Sequence, residues 1–560
     1  MVNFAIQIQN IMKKILLIVA LLIVAAAAFY CNTRKTAVDL IVHNATVYLV
    51  DEAFNTAEAF AVKDGQILEI GTSKAILKKY AAAEVTDLMG AYVYPGLIDP
   101  HCHFFGYGRS LANADLMGVA SFEEIIEILQ QHHDKYPSEW LLGRGWDQNL
   151  WPVKEFPHRS QLDAVFPDIP VLLTRVDGHA AIANTEALRR AGISASTRID
   201  GGDVIVRNGQ PTGILIDNAI GLVRRQVPAP SMQDEINALL NAQTNTFAVG
   251  LTSVSDAGLA TQAVHLIDSL QQSGALKTRI YAMLSPTEEN FETFVKNGPY
   301  KTDYLNVRSV KLFADGALGS RGARLIEDYS DEPGNAGLLV ETPEFMAEVS
   351  RKAFEHGYQV NTHAIGDSAN RLMLHIYGEI LKDKNDLRWR IEHAQIVHPD
   401  DFDLFGQYSI IPSIQTTHAT SDMIWAYDRL GTERMKGAYA YQQLLQQNGW
   451  LPNGSDFPVE RINPLYGFYA AFARKNHDGY PEGGFQMENA LTREQAMRGM
   501  TIWAAKAQFE ENEKGSLEPG KFADFILVDK DLMTMPAEEI LTLPIKYTFV
   551  NGERVFAAEE

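Results

Sequence analysis

The chain has 560 residues, a hydrophobic fraction of 46%, a charged fraction of 21% and a formal net charge of −21. This is the composition of a globular protein, and the length exceeds that of one average domain. The acidic balance argues against a nucleic-acid partner, because a phosphate backbone binds to a basic surface. With only two cysteines, Cys31 and Cys102, we expect no structural disulfide and no cysteine-held metal.

The N-terminal segment differs from the rest of the chain. Lys13 and Lys14 precede the apolar run ILLIVALLIVAAAAFYC, which has the length of a signal-peptide core. Three interpretations stay open: cleavage after the alanines at 25–28, lipidation of Cys31, or an uncleaved membrane anchor. Tyr30 departs from the small residue that a lipobox requires. All three interpretations predict an exported protein, periplasmic or membrane-anchored in a bacterium, with residues 1–31 as its signal peptide or anchor.

Short β-strands are predicted near both ends of the chain. Residues 38–51 form two strands around an asparagine turn, and residues 59–71 form a hairpin with Asp64-Gly65 as its turn. Asn551-Gly552 marks another hairpin near the C-terminus. We therefore expect one composite β-sandwich domain, built from residues 36–94 and 515–560.

The middle of the chain alternates apolar runs with helical patterns. The eight strand-like runs are 95–99, 250–256, 279–284, 307–313, 358–363, 389–394, 409–415 and 450–455. Eight strands alternating with helices predict an α/β fold, a (β/α)8 TIM barrel, over residues 95–514. One gap is too long for a single helix, so we expect an inserted subdomain at about 110–245. Its first helix has a capping-box pattern at Ser121 and Glu124.

Two histidines follow the first predicted barrel strand, in the stretch PGLIDPHCH. Alternate residues of a strand point to one face, so His101 and His103 can direct two imidazoles to the same point. A lone pair of this kind is often no more than two polar residues at a strand end. Whether it binds metal depends on what the other strand ends supply.

Catalytic residues of a TIM barrel lie at the C-terminal ends of its strands. The ends of the later runs carry four further polar residues: Lys311, His363, His393 and Asp456. Each has an ordinary alternative, since a strand-end histidine often bonds a loop, Asp456 could be a turn residue, and Lys311 could be an ion-pair partner. Six such residues at one rim favour a metal site.

The chain resembles the amidohydrolase superfamily of metal-dependent hydrolases, and most of all the branch that includes N-substituted formamide deformylases. The resemblance is carried by PGLIDPHCH, VKLFADGALGSRGA, NTHAIGD, RIEHAQ, NGSDFPVE and the tail GSLEPGKFADFILVD. These stretches extend from about residue 38 to near the C-terminus. They are specific for the superfamily, and they do not identify a substrate.

The resemblance implies a site for two divalent metal ions. His101 and His103 would bind one ion and His363 and His393 the other, with Lys311 bridging them as a carbamate. Asp456 would bind metal and act as the catalytic base towards a bridging water. Zinc is the default metal for a histidine-rich hydrolytic site, although iron, manganese or cobalt fits the same ligands. Some superfamily members use one ion and leave the lysine position idle.

Substrate contacts are predicted from the insertion and from the barrel loops. Trp146, Asp147 and His179 of the insertion could line a pocket over the barrel mouth. An equal alternative is that Trp146 and Trp151 belong to the core of the insertion. The barrel loops offer further candidates, which are Arg321, His418 and Asp422.

Together, these features predict a metal-dependent hydrolase that cleaves a non-peptide C–N bond in an amide, formamide or N-acyl compound. Two rivals remain: the same site acting on a cyclic amide or an ester, and a catalytically inactive, ligand-binding lipoprotein. A serine hydrolase lacks support, because the sequence has no GxSxG elbow. The expected partner is a small-molecule substrate, with membrane contact only through the N-terminal segment and a homodimer left open.

Overall fold

The computed structural model describes residues 2–33 and 35–559, with side chains for 3–23 and 35–559. The first element is a helix, Val2–Thr33, whose described side chains are exposed. Its segment Asn3–Ile23 is long and apolar enough to cross a membrane, and an N-terminal signal sequence has the same properties. The predicted cleavage region at 25–28 and the side chain of Cys31 lie outside the described side chains.

Strands from both ends of the folded chain form two facing sheets, and those from the C-terminal end all lie in the six-stranded sheet. The four-stranded sheet has the order Gln66–Gly71, Ala59–Lys63, Thr36–His43 and Tyr80–Asp87, with the helix Ser73–Lys79 beside it. The six-stranded sheet has the order Glu553–Ala557, Tyr547–Val550, Phe525–Val528, Tyr92–Pro95, Thr46–Tyr48 and Thr56–Ala57. Val62, Phe60, Val93 and Phe549 pack between these two layers. Both predicted hairpins form.

Eight parallel strands in sequence order form the central barrel. They are β1 (Leu97–Cys102), β2 (Leu251–Leu259), β3 (Arg279–Leu284), β4 (Leu305–Phe313), β5 (Gln359–Ala364), β6 (Arg390–His393), β7 (Ile411–Gln415) and β8 (Asn453–Gly454), and the two-residue strand Tyr300–Lys301 pairs with β4. Residues just after β8 close the ring on β1, since the Asp456 N–H donates to the His101 carbonyl over 2.8 Å. The predicted α/β fold with a TIM barrel is confirmed.

Helices cover the outside of the barrel and connect its strands. The α-helices are Phe104–Ser110, Met232–Ala248, Thr261–Gln272, Glu288–Thr293, Pro343–Glu355, Asp367–Leu381, Phe402–Gln407, Thr416–Asp422, Ala426–Arg434, Tyr441–Asn448, Pro464–Ala473, Arg493–Gly499 and Ile502–Ala507. Thr342 shows why one of them starts where it does: its hydroxyl accepts from the Phe345 N–H, and Pro343 occupies the first turn.

The inserted subdomain after β1 has its own sheet. Its strand order is Gly202–Arg207, Gln210–Asp217, Ala180–Ala183, Val171–Arg175, Leu141–Trp146 and Ala114–Asp115. Its helices are Phe122–Lys135, Ser160–Val165, Thr185–Arg190 and Asn218–Arg224. Neighbouring residues of one strand, Leu172 and Leu173, pack into separate cores on opposite faces, so both faces are covered. The Ser121 cap forms as predicted, but the Glu124 carboxylate accepts from the Ala120 N–H rather than from Ser121.

Candidate metal centre

The end of β1 and the segment after β8 bring two histidines to one carboxylate. The Nε2 atoms of His101 and His103 lie 3.5 and 3.3 Å from Oδ1 of Asp456. Asp99 fixes this junction, because its carboxylate accepts from the Ser455 hydroxyl over 2.6 Å and from the His101 N–H over 3.1 Å. The three side chains therefore meet at the C-terminal rim of the barrel.

Carboxylate and amide groups hold the outer nitrogens of two of the imidazoles. His101 Nδ1 lies 2.5 Å from Oε2 of Glu392, whose other oxygen accepts from Arg390 over 2.5 Å. His393 Nδ1 lies 2.7 Å from Oε1 of Gln415. When Nδ1 donates to these oxygens, Nε2 of each ring is left unprotonated towards the centre. This is the arrangement by which outer groups orient metal-binding histidines.

The ends of β4, β5 and β6 complete the rim. Lys311 is fully buried, and its Nζ lies 3.3 Å from Nε2 of His101. The ring of His393 lies 4.5 Å from that of His363 and 4.9 Å from that of His101. His363 directs Nε2 to the Gly316 carbonyl over 3.3 Å, which leaves Nδ1 for the centre. The predicted residues from these strands are thus neighbours in space.

The protonation states at the rim suit metal binding. Burial lowers the pKa of His103, and it holds the pKa of His363 and His393 well below the usual range. Neutral imidazole is the form of histidine that ligates a metal. Burial also lowers the pKa of Lys311 to about 8, so more of its amine is neutral than in water.

Asp456 is the residue shared by both groups of potential metal ligands. One group is His101, His103 and Asp456, and the other is His393, His418 and Asp456. Oδ1 of Asp456 is buried without a well-formed hydrogen bond, although two imidazoles face it. Burial raises the pKa of Asp456, but the imidazoles of His101, His103 and His418 outweigh it and hold the pKa well below the usual range. An ionised, buried carboxylate oxygen that faces two histidine nitrogens without a well-formed hydrogen bond fits a cation, so the residues present fit a metal.

The backbone is unusual at two of these residues. His393 and Asp456 have φ angles of 74° and 62°, in the left-handed region that few residues other than glycine adopt. Such strain persists only where the surrounding structure fixes it, and it concentrates at functional sites. His393 ends β6 and Asp456 lies two residues after the end of β8, so the strained backbone occurs where these side chains reach the rim.

A cavity of about 440 Å³ opens above the rim, lined by both the barrel and the inserted subdomain. His363, His393 and Asp456 contribute to its wall from the barrel side. Asp147, Arg175, Asp177 and His179 contribute from the subdomain, and apolar groups include Met117, Leu150, Ile424 and Trp425. The cavity wall therefore combines apolar side chains with several polar groups, as small-molecule sites usually do.

Four of the six predicted substrate contacts lie at this cavity: Asp147, His179, His418 and Asp422. The structure places Trp146 elsewhere, fully buried in the core of the subdomain, where its Nε1 donates to the Leu173 carbonyl. It also places Arg321 elsewhere, bound to the carboxylates of Asp331 and Glu332. These two residues do not line the cavity, which corrects their predicted position.

His418 lines the cavity, and it also contacts two carboxylates. Its Nε2 lies 3.6 Å from Oδ2 of Asp456, and its Nδ1 lies 3.0 Å from Oε1 of Glu460. Burial lowers the pKa of His418, but the two carboxylates outweigh it and raise the pKa to about 10. His418 is therefore placed to hold Asp456 as well as to contact a substrate.

Sequence reasoning missed Glu392, Gln415 and Asp217. Glu392 stands between Arg390 and His393 in RIEH, and a carboxylate inside a predicted barrel strand was a usable signal because it needs a partner when buried. Gln415 also ends a barrel strand, β7. Nothing in the sequence connects Asp217 with His179, 38 residues away, whose ring it contacts.

Comparison with known proteins decides the family. A sequence model described as the amidohydrolase family matches residues 84–556. The chain belongs to the amidohydrolase family. Since that family consists of metal-dependent hydrolases, this amidohydrolase is a hydrolytic enzyme, and its barrel rim carries candidate metal-binding residues.

Three relatives show how far the likeness extends. Protein LONG AFTER FAR-RED 3 of Arabidopsis thaliana is 33% identical over 542 residues, which covers 92% of this amidohydrolase and 91% of the plant protein. The N-substituted formamide deformylase of Arthrobacter pascens is 26% identical, covering 92% and 97% of the two chains. The crystal structure of an uncharacterized metal-dependent hydrolase from Pyrococcus horikoshii OT3 is 28% identical, covers 89% and 99%, and superposes with a TM-score of 0.73. The predicted resemblance to this superfamily and branch is confirmed.

Proposed function

We propose that this amidohydrolase hydrolyses a non-peptide C–N bond in an amide, a formamide or an N-acyl compound. The observation that carries the proposal is the buried Oδ1 of Asp456, which faces two histidine nitrogens at the floor of the cavity. A carboxylate there can take a proton from an attacking water and return it to a leaving nitrogen. The likeness to an N-substituted formamide deformylase supports this bond type.

We further propose two divalent cations, with zinc as the first candidate. The holding residues would be His101, His103, Lys311, His363, His393 and Asp456. Divalent cations bound in such a site lower the pKa of water and polarise a carbonyl group. An ammonium cannot ligate a cation, so Lys311 would take part as a carbamate formed with CO2. Only a neutral amine attacks CO2, and burial of Lys311 favours that form.

The reaction assigns separate tasks to the residues of this chain. Asp456 accepts a proton from the water while the oxygen of the water attacks the carbonyl carbon. As the C–N bond breaks, Asp456 donates that proton to the nitrogen, which leaves as an amine with a carboxylic acid as the other product. His418, held by Glu460, keeps the Asp456 carboxylate in place. Glu392 and Gln415 keep their partner imidazoles in one orientation.

The cavity wall above the rim would bind the part of the substrate that does not react. Met117, Leu150 and Trp425 offer contact to an apolar group. Asp422 offers a carboxylate that the Tyr439 hydroxyl orients over 2.8 Å. Binding energy from such remote groups positions the carbonyl for attack. We therefore propose that the inserted subdomain and the loops after the strands select the substrate.

Metal analysis combined with a substrate panel tests the proposed function. The purified protein is analysed for metal and assayed against formamides, N-acyl amino acids, cyclic amides and aryl esters, before and after chelation. We expect bound divalent metal, hydrolysis of one amide class, and loss of that activity on chelation with recovery on metal addition. A metal-free protein that is fully active, or a preference for esters or cyclic amides, would contradict it.

We also propose that the Val2–Thr33 helix directs the protein out of the cytoplasm. Fractionation of cells that express wild-type protein and Cys31→Ser separates lipidation from the other two routes. Release of the variant from the membrane indicates lipidation, whereas equal fractionation indicates cleavage or an uncleaved anchor. Finding the intact chain in the cytoplasm would contradict export.

A further inference from the structure

The helix Thr416–Asp422 leads from the metal centre along the wall of the cavity. It starts directly after β7, and Nε2 of His418 in its first turn lies 3.6 Å from Oδ2 of Asp456. Asp422 follows four residues later, so it lies on the same face of the helix, about one turn of 5.4 Å beyond His418. Both side chains line the cavity. The carboxylate of Asp422 is therefore a wall group one turn away from the residue that contacts Asp456.

Two buried neighbours hold one oxygen of this carboxylate. Oδ2 of Asp422 accepts from the Tyr439 hydroxyl over 2.8 Å and from Nε2 of Gln395 over 3.1 Å. The same amide donates to the Tyr439 oxygen over 3.1 Å, and the Tyr439 N–H donates to the Gln395 carbonyl over 2.8 Å. Tyr439 has a φ of 54°, a strain that persists only in fixed surroundings. The orientation of the carboxylate is therefore set before any ligand binds.

The other oxygen of Asp422 has only a weak partner. The donor that the structure places at Oδ1 is the Ser421 hydroxyl, at 3.5 Å. No lysine, arginine or histidine pairs with Asp422 among the described residues. Two other carboxylates of the cavity wall differ, since Arg175 binds both Asp147 and Asp177. Asp422 is thus an oriented carboxylate at the cavity whose charge the described side chains leave unpaired.

The surroundings of Asp422 favour a bound cation. Burial raises the pKa of Asp422 to about 7, and the carboxylates of Glu460 and Asp147 add to this rise, while His418 opposes it. An opposite charge beside Asp422 would favour its ionised form and offset both effects. Trp425, whose N–H donates to the Asp422 carbonyl over 3.0 Å, also lines the cavity, and indole rings attract ammonium groups. This part of the wall therefore matches a positively charged group of a ligand.

We propose that Asp422 binds an ammonium group on the amine half of the substrate. The inference rests on the proposed function and narrows it to N-acyl derivatives of amines that carry a second, positively charged nitrogen. The amine half is assigned because Asp456 would return a proton to the leaving nitrogen, and His418 joins Asp456 to the helix of Asp422. Tyr439 and Gln395 are positioning residues that act through Asp422.

Matched substrates test the inference on the intact protein. Three amides share the acyl group that the wild type hydrolyses best and a five-carbon amine chain, and they differ at the far end of that chain. This end is an ammonium, a methyl or a carboxylate group. Assays are run at about pH 8.5, where Asp422 is ionised and an alkyl ammonium keeps its proton. Arg461 and Lys475 also line the cavity, so a preference for the carboxylate compound would assign recognition to these cations and overturn the inference.

We expect the wild type to prefer the ammonium compound over the methyl compound, and Asp422→Asn to lower this ratio of kcat/KM about tenfold or more. Tyr439→Phe keeps the carboxylate but removes a donor that orients it, so the ratio should fall by a smaller factor. Asp428→Asn removes an exposed carboxylate from the next helix and, as the matched control, should keep the wild-type ratio. An unchanged ratio in Asp422→Asn would overturn the inference. If that variant does not fold, the ratio in Tyr439→Phe decides.

Binding without turnover separates this inference from the proposed function. Hexylammonium and hexanol contain no amide, and calorimetry gives their affinities for the wild type and for Asp422→Asn. If the wild type hydrolyses no amide but binds hexylammonium more tightly than hexanol, and Asp422→Asn loses that difference, the proposed function fails and the cation site stands. If amides are hydrolysed without preference for the ammonium compound, and hexylammonium binds no better than hexanol, only the role of Asp422 is wrong.

Discussion

The barrel rim and the inserted subdomain place side chains in the same cavity in different ways. At the rim, each functional side chain lies at or just after the end of a parallel strand, as His101, His363 and His393 do. In the subdomain, the groups that reach the cavity, such as Asp147 and His179, lie in loops after strands of a mixed sheet. At the rim, the order of the parallel strands determines where the functional side chains lie. In the subdomain, local changes of backbone direction determine it.

Residues 144–147 show what that difference means. The pairing register between Leu141–Trp146 and Val171–Arg175 shifts between Arg144 and Trp146, and Gly145 has a φ of 116°. A bulge of this kind re-aims the following side chains. Trp146 consequently enters the core, and Asp147 reaches the cavity. Sequence alternation alone does not reveal such a shift.

The largest expected effect tests the rim. Asp456→Asn should lower kcat by about 10³-fold or more, because an amide cannot accept the proton of water. Thermal melting should remain close to wild type, and Asp400→Asn, an exposed carboxylate, serves as the control. Near-normal turnover in Asp456→Asn would remove this residue from its catalytic role.

Lys311→Arg tests whether the fully buried lysine serves the metal. A guanidinium keeps its positive charge and cannot form a carbamate, so metal content and activity should both fall, the latter by about 10²-fold or more. Intact-mass analysis of the wild type under mild conditions should show the added mass of one CO2. An unmodified Lys311 in a fully active enzyme with two metals would contradict the bridging role. Lys436→Arg, at an exposed site, is the matched control.

Trp146→Ala and Leu150→Ala compare core and cavity within one segment. Trp146→Ala removes a fully buried ring and should cost about 3–5 kcal/mol of unfolding free energy without changing the ranking of substrates. Leu150 is 47% exposed and lines the cavity, so Leu150→Ala should leave the melting temperature nearly unchanged. It should instead lower kcat/KM for apolar substrates by up to about tenfold. If Trp146→Ala changed the ranking of substrates and Leu150→Ala lowered the melting temperature, the assignment of Trp146 to the core would be wrong.

The smallest expected effect concerns Asp256, which supports the helix after His103. Burial raises the pKa of Asp256 to about 7, although its carboxylate accepts from the Phe105 N–H over 3.0 Å. The folded protein then binds more protons than the unfolded chain between about pH 4 and 7, so this residue lowers stability as pH rises through that window. Asp256→Asn should gain on the order of 1 kcal/mol relative to wild type between pH 6 and 8. Parallel stability curves from chemical denaturation would contradict this.

The same contrast explains how much the sequence could predict. Parallel strands align their C-terminal ends, so recognising the eight runs was enough to gather Lys311, His363, His393 and Asp456 at one rim. Glu392 and Gln415, which orient the imidazoles of His101 and His393, depend on which strands are neighbours in the barrel and on side-chain direction. The position of Trp146 depends on a bulge, and the position of Asp217 depends on its own strained backbone. Neither feature leaves a periodic pattern in the sequence. Arg321 was misplaced because its two acidic partners, ten and eleven residues onward, draw it away.

The sheet that unites both ends of the folded chain has a consequence for biosynthesis. Tyr92–Pro95 directly precedes β1, and its partner strand Phe525–Val528 is translated more than 400 residues later. Until then, an unpaired strand edge stands beside the first two histidines, and such edges invite aggregation. Contacts this distant in sequence also form slowly. A chain whose translation stops early therefore lacks the strand Phe525–Val528 that pairs with Tyr92–Pro95. We expect proteases to remove such a chain.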